Sequence, residues 1–208
     1  EELKGRRIGV REYSMTAAVV ARGLMEDEHG IGARDVTWVV GDVDEKERTH
    51  IPLPDLPDGF RVERAPEGRM LVDMLVAGEL DALLAYKPPK AFVKGDPRIV
   101  RLFPDYEARE RDYARRTGIF PVMHLMGIRR ELAEAEPWLA MSLMAAFTAA
   151  KDLAIADLSI VQALKVALPW APAEFTRTRD ALGDDYWPYG VARNRRALEA
   201  LTRWHHAQ

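Results

Sequence analysis

The sequence predicts an α/β protein whose strands form a parallel sheet. The prediction rests on a short apolar strand at Arg7–Val10, an apolar helical stretch at Met15–Met25 that Gly30 ends, and a β-branched strand at Val36–Val40. Strand, turn, helix and strand in this order form a βαβ unit, whose two strands run parallel. The content of 48% hydrophobic and 30% charged residues is typical of a folded globular chain and argues against disorder.

The chain up to residue 105 continues as apolar elements separated by polar stretches. One helix and two strands are predicted, at Met70–Leu75, Leu80–Ala85 and Ile99–Phe103. Residues 42–68 hold four prolines and eight acids against four bases, which indicates a surface excursion with one short strand at Phe60–Glu63. The Pro- and Lys-rich stretch Tyr86–Pro97 is predicted to be a mobile loop.

The second half is predicted to be mostly helical. A charged helix at Tyr106–Arg116 connects two lobes, and the apolar run Phe120–Ile128 is interpreted as a central strand that begins at Pro121. Three further helices are predicted, at Pro137–Ala156, Leu158–Leu168 and Val191–Trp204. The expected division is one α/β lobe over residues 1–105 and a second body, a hinge strand plus helices, over residues 106–208.

Charge and residue usage exclude several classes of partner. Lys and Arg number 30 against 33 Asp and Glu, so the net charge of −3 supplies no general attraction for nucleic acid. The sequence has no Cys, which excludes disulfides and thiolate chemistry, and its five His do not suggest a metal cage. The longest apolar stretch, from Leu139, stops at Lys151, which is short for a membrane span. We therefore expect no metal, no nucleic-acid partner and no membrane partner.

The turn between the first strand and helix is the first candidate site. Backbone N–H groups and the helix dipole favour an anion at such a strand end. Arg11 adds a guanidinium for a carboxylate, and Ser14 or Thr16 can cap the helix and donate to a ligand. The alternative is that Ser14 only caps the helix and Arg11 is a solvated charge. For Arg22, inside the helix, contact with a buried acid and snorkelling to solvent both stay open.

His124 is the second candidate, because it is the histidine of the predicted strand Phe120–Ile128. Its ordinary pKa allows it to give or take a proton near neutrality. The alternative is a histidine that is satisfied within the core. The sequence contains no Walker loop and no G-x-G-x-x-G, H-E-x-x-H or G-x-S-x-G motif. The motifs that usually indicate nucleotide binding, zinc proteolysis and serine hydrolysis are therefore absent.

Two acidic motifs have structural alternatives that we favour. In Gly183–Gly190, adjacent carboxylates could bind a cation, but capping of the next helix with packing by Trp187 and Tyr189 explains them as well. Asp42-x-Asp44 with His50 resembles a metal signature loosely and lies in the acidic excursion, where a solvated loop is expected.

The segment Leu3–Val10, followed by a turn and a helix, is similar to the middle of a type II periplasmic-binding-protein fold, as are Gly78–Ala82 and Val100–Asp105. The whole chain resembles the 4,5-dihydroxyphthalate decarboxylase family. The residues that carry this resemblance are Glu12-Tyr13-x-Met15-Thr16-Ala17, Arg22-Gly23, Thr117-Gly118-Ile119-Phe120-Pro121-x-Met123-His124, Pro137-Trp138-Leu139-Ala140 and Gly183-Asp184-Asp185-x-Trp187-Pro188-Tyr189-Gly190.

The resemblance implies a two-lobed fold with a ligand cleft and a carboxy-lyase, without redox cofactor, that removes CO₂ from a hydroxylated aromatic carboxylate. Such a reaction needs a cation for the remaining carboxylate, an acid for the ring carbon and an acceptor for the phenol. We assign these roles to Arg11 with Ser14 and Thr16, to His124, and to Glu12 or Tyr13. Tyr86 and Lys87 complete the expected substrate-binding set.

Members of this family carry a further N-terminal segment, so the first lobe is expected to be incomplete in this chain. The alternative function is a solute-binding protein that captures a small carboxylate without chemistry, since the fold is common to both. A signal peptide ahead of Glu1 would favour that alternative and a periplasmic location; otherwise we expect a cytoplasmic enzyme. The resemblance leaves open whether copies associate into a homo-oligomer.

Overall fold

The computed structural model describes residues 2–46 and 53–208. Their backbone forms two compact units: Glu1–Pro104 together with Ala200–Gln208, and Asp105–Glu199. We call these the sheet unit and the helical unit.

The sheet unit is built on four parallel strands. They are β1 (Arg7–Val10), β2 (Thr37–Val40), β3 (Arg61–Arg64) and β4 (Ala82–Leu84), in the order β3-β2-β1-β4. In the register, Ile8 lies opposite Trp38 on one side and Ala82 on the other. Because all four strands point the same way, the segments that follow them begin at one edge of the sheet.

Helical segments lie between and after these strands. They are α1 (Thr16–His29), a 3₁₀ turn (Ala33–Asp35), α2 (Leu71–Val76) and α3 (Lys90–Val93). Gly30 ends α1 in the left-handed conformation, with φ of 63°, as a glycine at this position allows. One buried cluster includes Ile8, Val10 and Trp38, and a second includes Val39 and Leu71. The sheet unit therefore buries apolar side chains in two clusters.

The helical unit contains α4 (Tyr106–Thr117), α5 (Arg130–Ala135), α6 (Leu139–Leu158), α7 (Ala171–Leu182) and most of α8 (Val191–Ala207). An ion pair between Arg111 and Glu174 joins α4 to α7. Residues 200–208, at the end of α8, belong to the sheet unit.

The α/β class with a parallel sheet is confirmed, and β1–β4, α1, α2, α4, α6 and α8 lie where the sequence predicts them to within a few residues. The division at residue 105 stays a prediction. Three helices were missed in segments predicted as loop or left unassigned: α3, within Tyr86–Pro97, α5 and α7.

Two predicted strands are wrong. Ile99–Phe103 is irregular: Ile99 packs against the core, but Val100 and Leu102 are 78% and 61% exposed. Phe120–Ile128 is also irregular. A strand needs a neighbouring strand for its backbone hydrogen bonds, and the described part of the helical unit supplies none.

The helix predicted at Leu158–Leu168 is wrong as well. The helix α6 ends at Leu158, and the Ser159 hydroxyl donates to the carbonyl of Ala156 at 2.6 Å, a local bond that competes with further helix. Residues 159–170 form turns and bends, and the next helix is α7, which has Pro172 in its first turn.

The helix α6 lies where the sequence predicts it, but its apolar stretch continues past Lys151, so the expectation that this stretch is short for a membrane span is wrong. Leu139–Leu158 is long and apolar enough to cross a membrane by length and composition, with a mean hydropathy of 1.5. A single helix of this kind also occurs in proteins that do not enter membranes. Lys151 in its middle lies 2.7 Å from Asp185 in the loop before α8, so the helix carries an ion pair where a lipid-facing helix is apolar.

Candidate functional site

The residues singled out after β1 lie at the sheet edge where the parallel strands end. The β1–α1 turn, Arg11–Met15, follows β1, and the segments after β2 and β4 begin beside it because these two strands flank β1. This edge is where ligands bind in open parallel sheets. We call it the carboxyl edge: the β1–α1 turn with Asp42 and with Tyr86 and Lys87.

Arg11 is not a solvated loop charge. It is 6% exposed, and its Nη1 lies 3.4 Å from Oδ1 of Asp42, which follows β2. The Asp42 carboxylate is itself 24% exposed. The pair therefore fixes the Arg11 guanidinium at the carboxyl edge, and the role of Arg11 in anion binding stays a prediction.

The start of α1 carries no side-chain cap. Met15 occupies the cap position with extended backbone angles, and its carbonyl accepts from the N–H groups of Ala18 and Val19. The prediction that Ser14 or Thr16 caps the helix is therefore wrong. Ser14 is exposed, whereas Glu12 and Thr16 are half-buried. The polarity of such a helix start favours an anion, and binding of an anion at this turn stays a prediction.

Tyr13 and Arg22 form a buried cluster directly behind the turn. The ring of Tyr13 is 3% exposed, and Cζ of Arg22 lies 3.8 Å from its centroid. Nη2 of Arg22 donates to the main-chain carbonyl of Tyr13 at 2.7 Å, and Nε donates to Gln208 at 2.6 Å. Arg22 therefore neither pairs with a buried acid nor snorkels. It binds a carbonyl, an amide and an aromatic ring.

Burial controls the ionisation of both side chains. Burial lowers the pKa of Arg22 to about 10, although Tyr13 opposes the shift. Burial also raises the pKa of the Tyr13 hydroxyl, an effect that the charges of Arg22 and Arg34 reduce. At neutral pH the cluster is therefore a cation next to an uncharged phenol.

Tyr86 and Lys87 follow β4 at the same edge and are exposed. Tyr86 is 46% exposed, and Nζ of Lys87 lies 5.4 Å from the centre of its ring. Both side chains are accessible from solvent at the sheet edge. Their assignment to substrate binding stays a prediction.

His124 belongs to the helical unit. It lies in the irregular segment between Gly118 and Arg129, where it is exposed, and its neighbours Leu125 and Met126 are 81% and 69% exposed. The alternative of a satisfied core histidine does not fit this environment. Its role in proton transfer stays a prediction.

The carboxylates of the acidic motif Gly183–Gly190 form ion pairs, and their capping of α8 stays a prediction. Asp184 pairs with Arg179, and Asp185 pairs with Lys151 and Arg193. The hydrogen bond from Lys151 to Asp185 holds the pKa of this lysine above its ordinary value. These contacts account for both carboxylates without a bound cation.

The other acidic motif is also occupied by protein groups. Asp42 binds Arg11, and Oδ2 of Asp44 accepts from the backbone N–H of Lys90 at 3.0 Å. His50 lies outside the described residues. Within residues 2–46 and 53–208, no group of three or more potential metal ligands comes together.

Sequence reasoning missed two contacts at or behind the β1–α1 turn. Asp42 could have been found as the partner of Arg11, because both residues follow neighbouring parallel strands. Gln208 could not, because its contact with Arg22 spans 186 positions and depends on how α8 ends.

Comparison with known proteins gives two similar enzymes. The chain is 37% identical over 207 residues to 4,5-dihydroxyphthalate decarboxylase of Comamonas testosteroni, an alignment that covers 100% of the chain and 63% of that relative. It is 42% identical over 114 residues to 4,5-dihydroxyphthalate decarboxylase of Pseudomonas putida, covering 55% of the chain and 44% of that relative. The chain thus spans less than two thirds of the length of either relative. No family model matches it.

Proposed function

The chain belongs to the 4,5-dihydroxyphthalate decarboxylase family, and on this premise we propose that it catalyses the non-oxidative decarboxylation of a hydroxylated aromatic dicarboxylate such as 4,5-dihydroxyphthalate. The observation that carries the proposal is the 37% identity along the whole chain. The finer fold assignment is part of the proposal: a two-lobed, type II periplasmic-binding-protein-like architecture with a ligand cleft.

The chemistry follows from the substrate. Each carboxylate-bearing ring carbon of 4,5-dihydroxyphthalate has a hydroxyl para to it. When that hydroxyl loses its proton, the ring carbon can accept one, which gives a dienone-like intermediate. The bond to the carboxylate then breaks, its electron pair returns to the ring, and CO₂ leaves with 3,4-dihydroxybenzoate as product. The reaction balances without an oxidant or reductant.

The carboxyl edge supports the binding part of this proposal. The retained carboxylate binds at the β1–α1 turn, where the uncapped start of α1 provides positive polarity and Arg11 provides a guanidinium that donates hydrogen bonds. The exposed Ser14 and the half-buried Thr16 supply hydroxyl donors. Tyr86 and Lys87 contact the substrate from the segment after β4.

Proton transfer is assigned to two titratable side chains. His124 is the acid that protonates the ring carbon, because histidine is the side chain that most often transfers protons in catalysis. Of the two acceptors considered for the phenol, Glu12 is favoured over Tyr13. The hydroxyl of Tyr13 lies 3.4 Å from the backbone carbonyl of Gln208, and its ring is buried.

The further expectations belong to the same proposal. The partner is a small aromatic carboxylate, and neither nucleic acid nor a membrane is required. We propose a cytoplasmic location, which fractionation of cells that express the protein would test.

The experiment distinguishes decarboxylation of the ligand from binding without reaction. The protein is incubated with 4,5-dihydroxyphthalate, and CO₂ release is measured beside the heat of binding. Release with turnover supports the decarboxylase, whereas binding without release shows a solute-binding protein.

A variant of Arg11 tests the anion site. Arg11→Lys keeps the charge next to Asp42 but loses the guanidinium, so it should weaken binding of 4,5-dihydroxyphthalate more than Arg115→Ala, a change at an exposed position of α4.

A further inference from the structure

We propose that Arg22 is the positioning residue of the β1–α1 turn: its guanidinium holds the main chain of Tyr13 and supplies the positive charge behind the anion site. This inference rests on the proposed function, because the turn is the site to which we assign the substrate carboxylate.

The first support is the geometry of the contacts. Tyr13 lies in the middle of the turn, and Nη2 of Arg22 donates to its main-chain carbonyl at 2.7 Å in a buried environment. The guanidinium also lies over the Tyr13 ring at 3.8 Å and near the ring of Trp38 at 5.3 Å. One side chain of α1 thus fixes both the backbone and the ring of the residue on which the turn is built.

The second support is that Arg22 carries a charge that the described residues do not neutralise. The side chain is 1% exposed, and its other contact goes to the neutral amide of Gln208. No carboxylate partner is found for it within residues 2–46 and 53–208, and its Nη1 is buried without a hydrogen-bond acceptor there. A buried cation without a counter-ion is costly to fold.

This cost is explained when an anion binds nearby. Arg11 already faces Asp42, so the pair adds little net charge to the turn. Arg22 adds a full positive charge behind it in a medium of low dielectric, where its field reaches further than at the surface. A substrate carboxylate bound at the turn then supplies the negative charge that stabilises the Arg22 guanidinium through space, without direct contact.

The test uses phthalate, which has both carboxylates but lacks the hydroxyls that the decarboxylation requires. Its dissociation constant is measured by calorimetry for the wild-type protein, Arg22→Met, Arg22→Lys and Arg203→Met. Arg203 is the matched control, because it also ties the end of α8 to α1, through Asp27 at 2.9 and 2.6 Å, but away from the turn.

We expect Arg22→Met to raise the dissociation constant about tenfold or more, Arg22→Lys to recover part of the loss, and Arg203→Met to change it less than about twofold. With substrate, Arg22→Met should raise KM more than it lowers kcat. If Arg22→Met does not fold, Arg22→Lys carries the test, with a smaller rise in the dissociation constant.

The inference is overturned if wild-type protein does not bind phthalate, if the folded Arg22 variants bind it as the wild type does, or if Arg203→Met weakens binding equally. Binding of phthalate that depends on Arg22, without CO₂ release from 4,5-dihydroxyphthalate, would overturn the proposed reaction and leave the inference standing.

Discussion

The sheet unit and the helical unit use their apolar residues differently. In the sheet unit, Trp38, Val39 and Leu71 are fully buried between strands and helices. In the helical unit, α6 has no buried residue, and Trp170 is 80% exposed. Apolar content is high in both, so content alone does not decide burial. An apolar segment becomes a core element where the chain also supplies the surface that packs against it.

The largest expected effect tests this comparison with two tryptophans. Trp38→Ala empties a fully buried position and removes the hydrogen bond from its indole to the carbonyl of Ala33, so it should cost about 3–5 kcal/mol. Trp170→Ala should change the free energy of unfolding by less than about 0.5 kcal/mol, because its side chain is exposed. Urea unfolding measures both. Equal losses would remove the distinction between the units.

The next effect separates activity from stability in the helical unit. His124→Gln keeps size and polarity but cannot titrate, so we expect turnover to fall on the order of 10²-fold. The melting temperature should stay near that of the wild type, because the residue lies in an exposed irregular segment. His206→Gln, at an exposed position near the end of α8, serves as the control. A destabilised variant with full turnover would make His124 structural.

Two glycines, Gly23 in the sheet unit and Gly127 in the helical unit, test how closely side chains pack around each. A Cβ added to Gly23 would lie 2.2 Å from the ring of Trp204, which is 1% exposed, so Gly23→Ala should cost about 1–3 kcal/mol. A Cβ at Gly127 meets nothing within 4 Å, and Gly127→Ala should be nearly neutral. Urea unfolding measures both variants. Equal free energies of unfolding would contradict the close packing of Gly23 against Trp204.

The smallest effect concerns pH. Hydrogen bonding to Arg203 holds the pKa of Asp27 below its ordinary value, with a further bond from Trp204. A lowered pKa in the folded state adds stability that is complete above the ordinary value and is lost as the pH falls through the lowered pKa. We expect Asp27→Asn to cost about 0.5–1 kcal/mol at pH 7 and less at pH 3.

The control for this pH effect is Asp105, in the helical unit. Its pKa is lowered by a hydrogen bond from Arg109, but the side chain is more exposed than that of Asp27. Urea unfolding at both pH values should therefore show a weaker dependence for Asp105→Asn. A larger dependence for this variant would reverse the comparison.

The sequence predicted the parts of the fold whose partners are close in the chain. The βαβ unit around β1 and β2 follows from periodicity, and Gly30 marks the end of α1 as expected. The strand predicted at Phe120–Ile128 was wrong, because an apolar run does not show whether a neighbouring strand is present. The contact of Arg22 with Gln208 was unpredictable for a similar reason, since it depends on how the last helix ends against α1.

The geometry of the candidate site was predictable to the same extent. The position of the turn after β1 followed from the order of elements, and Arg11 and Tyr13 were located there. The burial of both side chains was not foreseen, since it depends on Asp42 after β2 and on Arg22 within α1. Local sequence thus indicated where the β1–α1 turn lies, whereas tertiary contacts determine which of its side chains are accessible.

The most direct test of the central claim is to follow 4,5-dihydroxyphthalate labelled with ¹³C in its carboxylates, by NMR in D₂O. The account predicts labelled CO₂ or bicarbonate in a one-to-one ratio with 3,4-dihydroxybenzoate, whose ring carries one deuterium at the carbon that lost CO₂. Bound but unchanged substrate, with no labelled CO₂ after prolonged incubation, would contradict it.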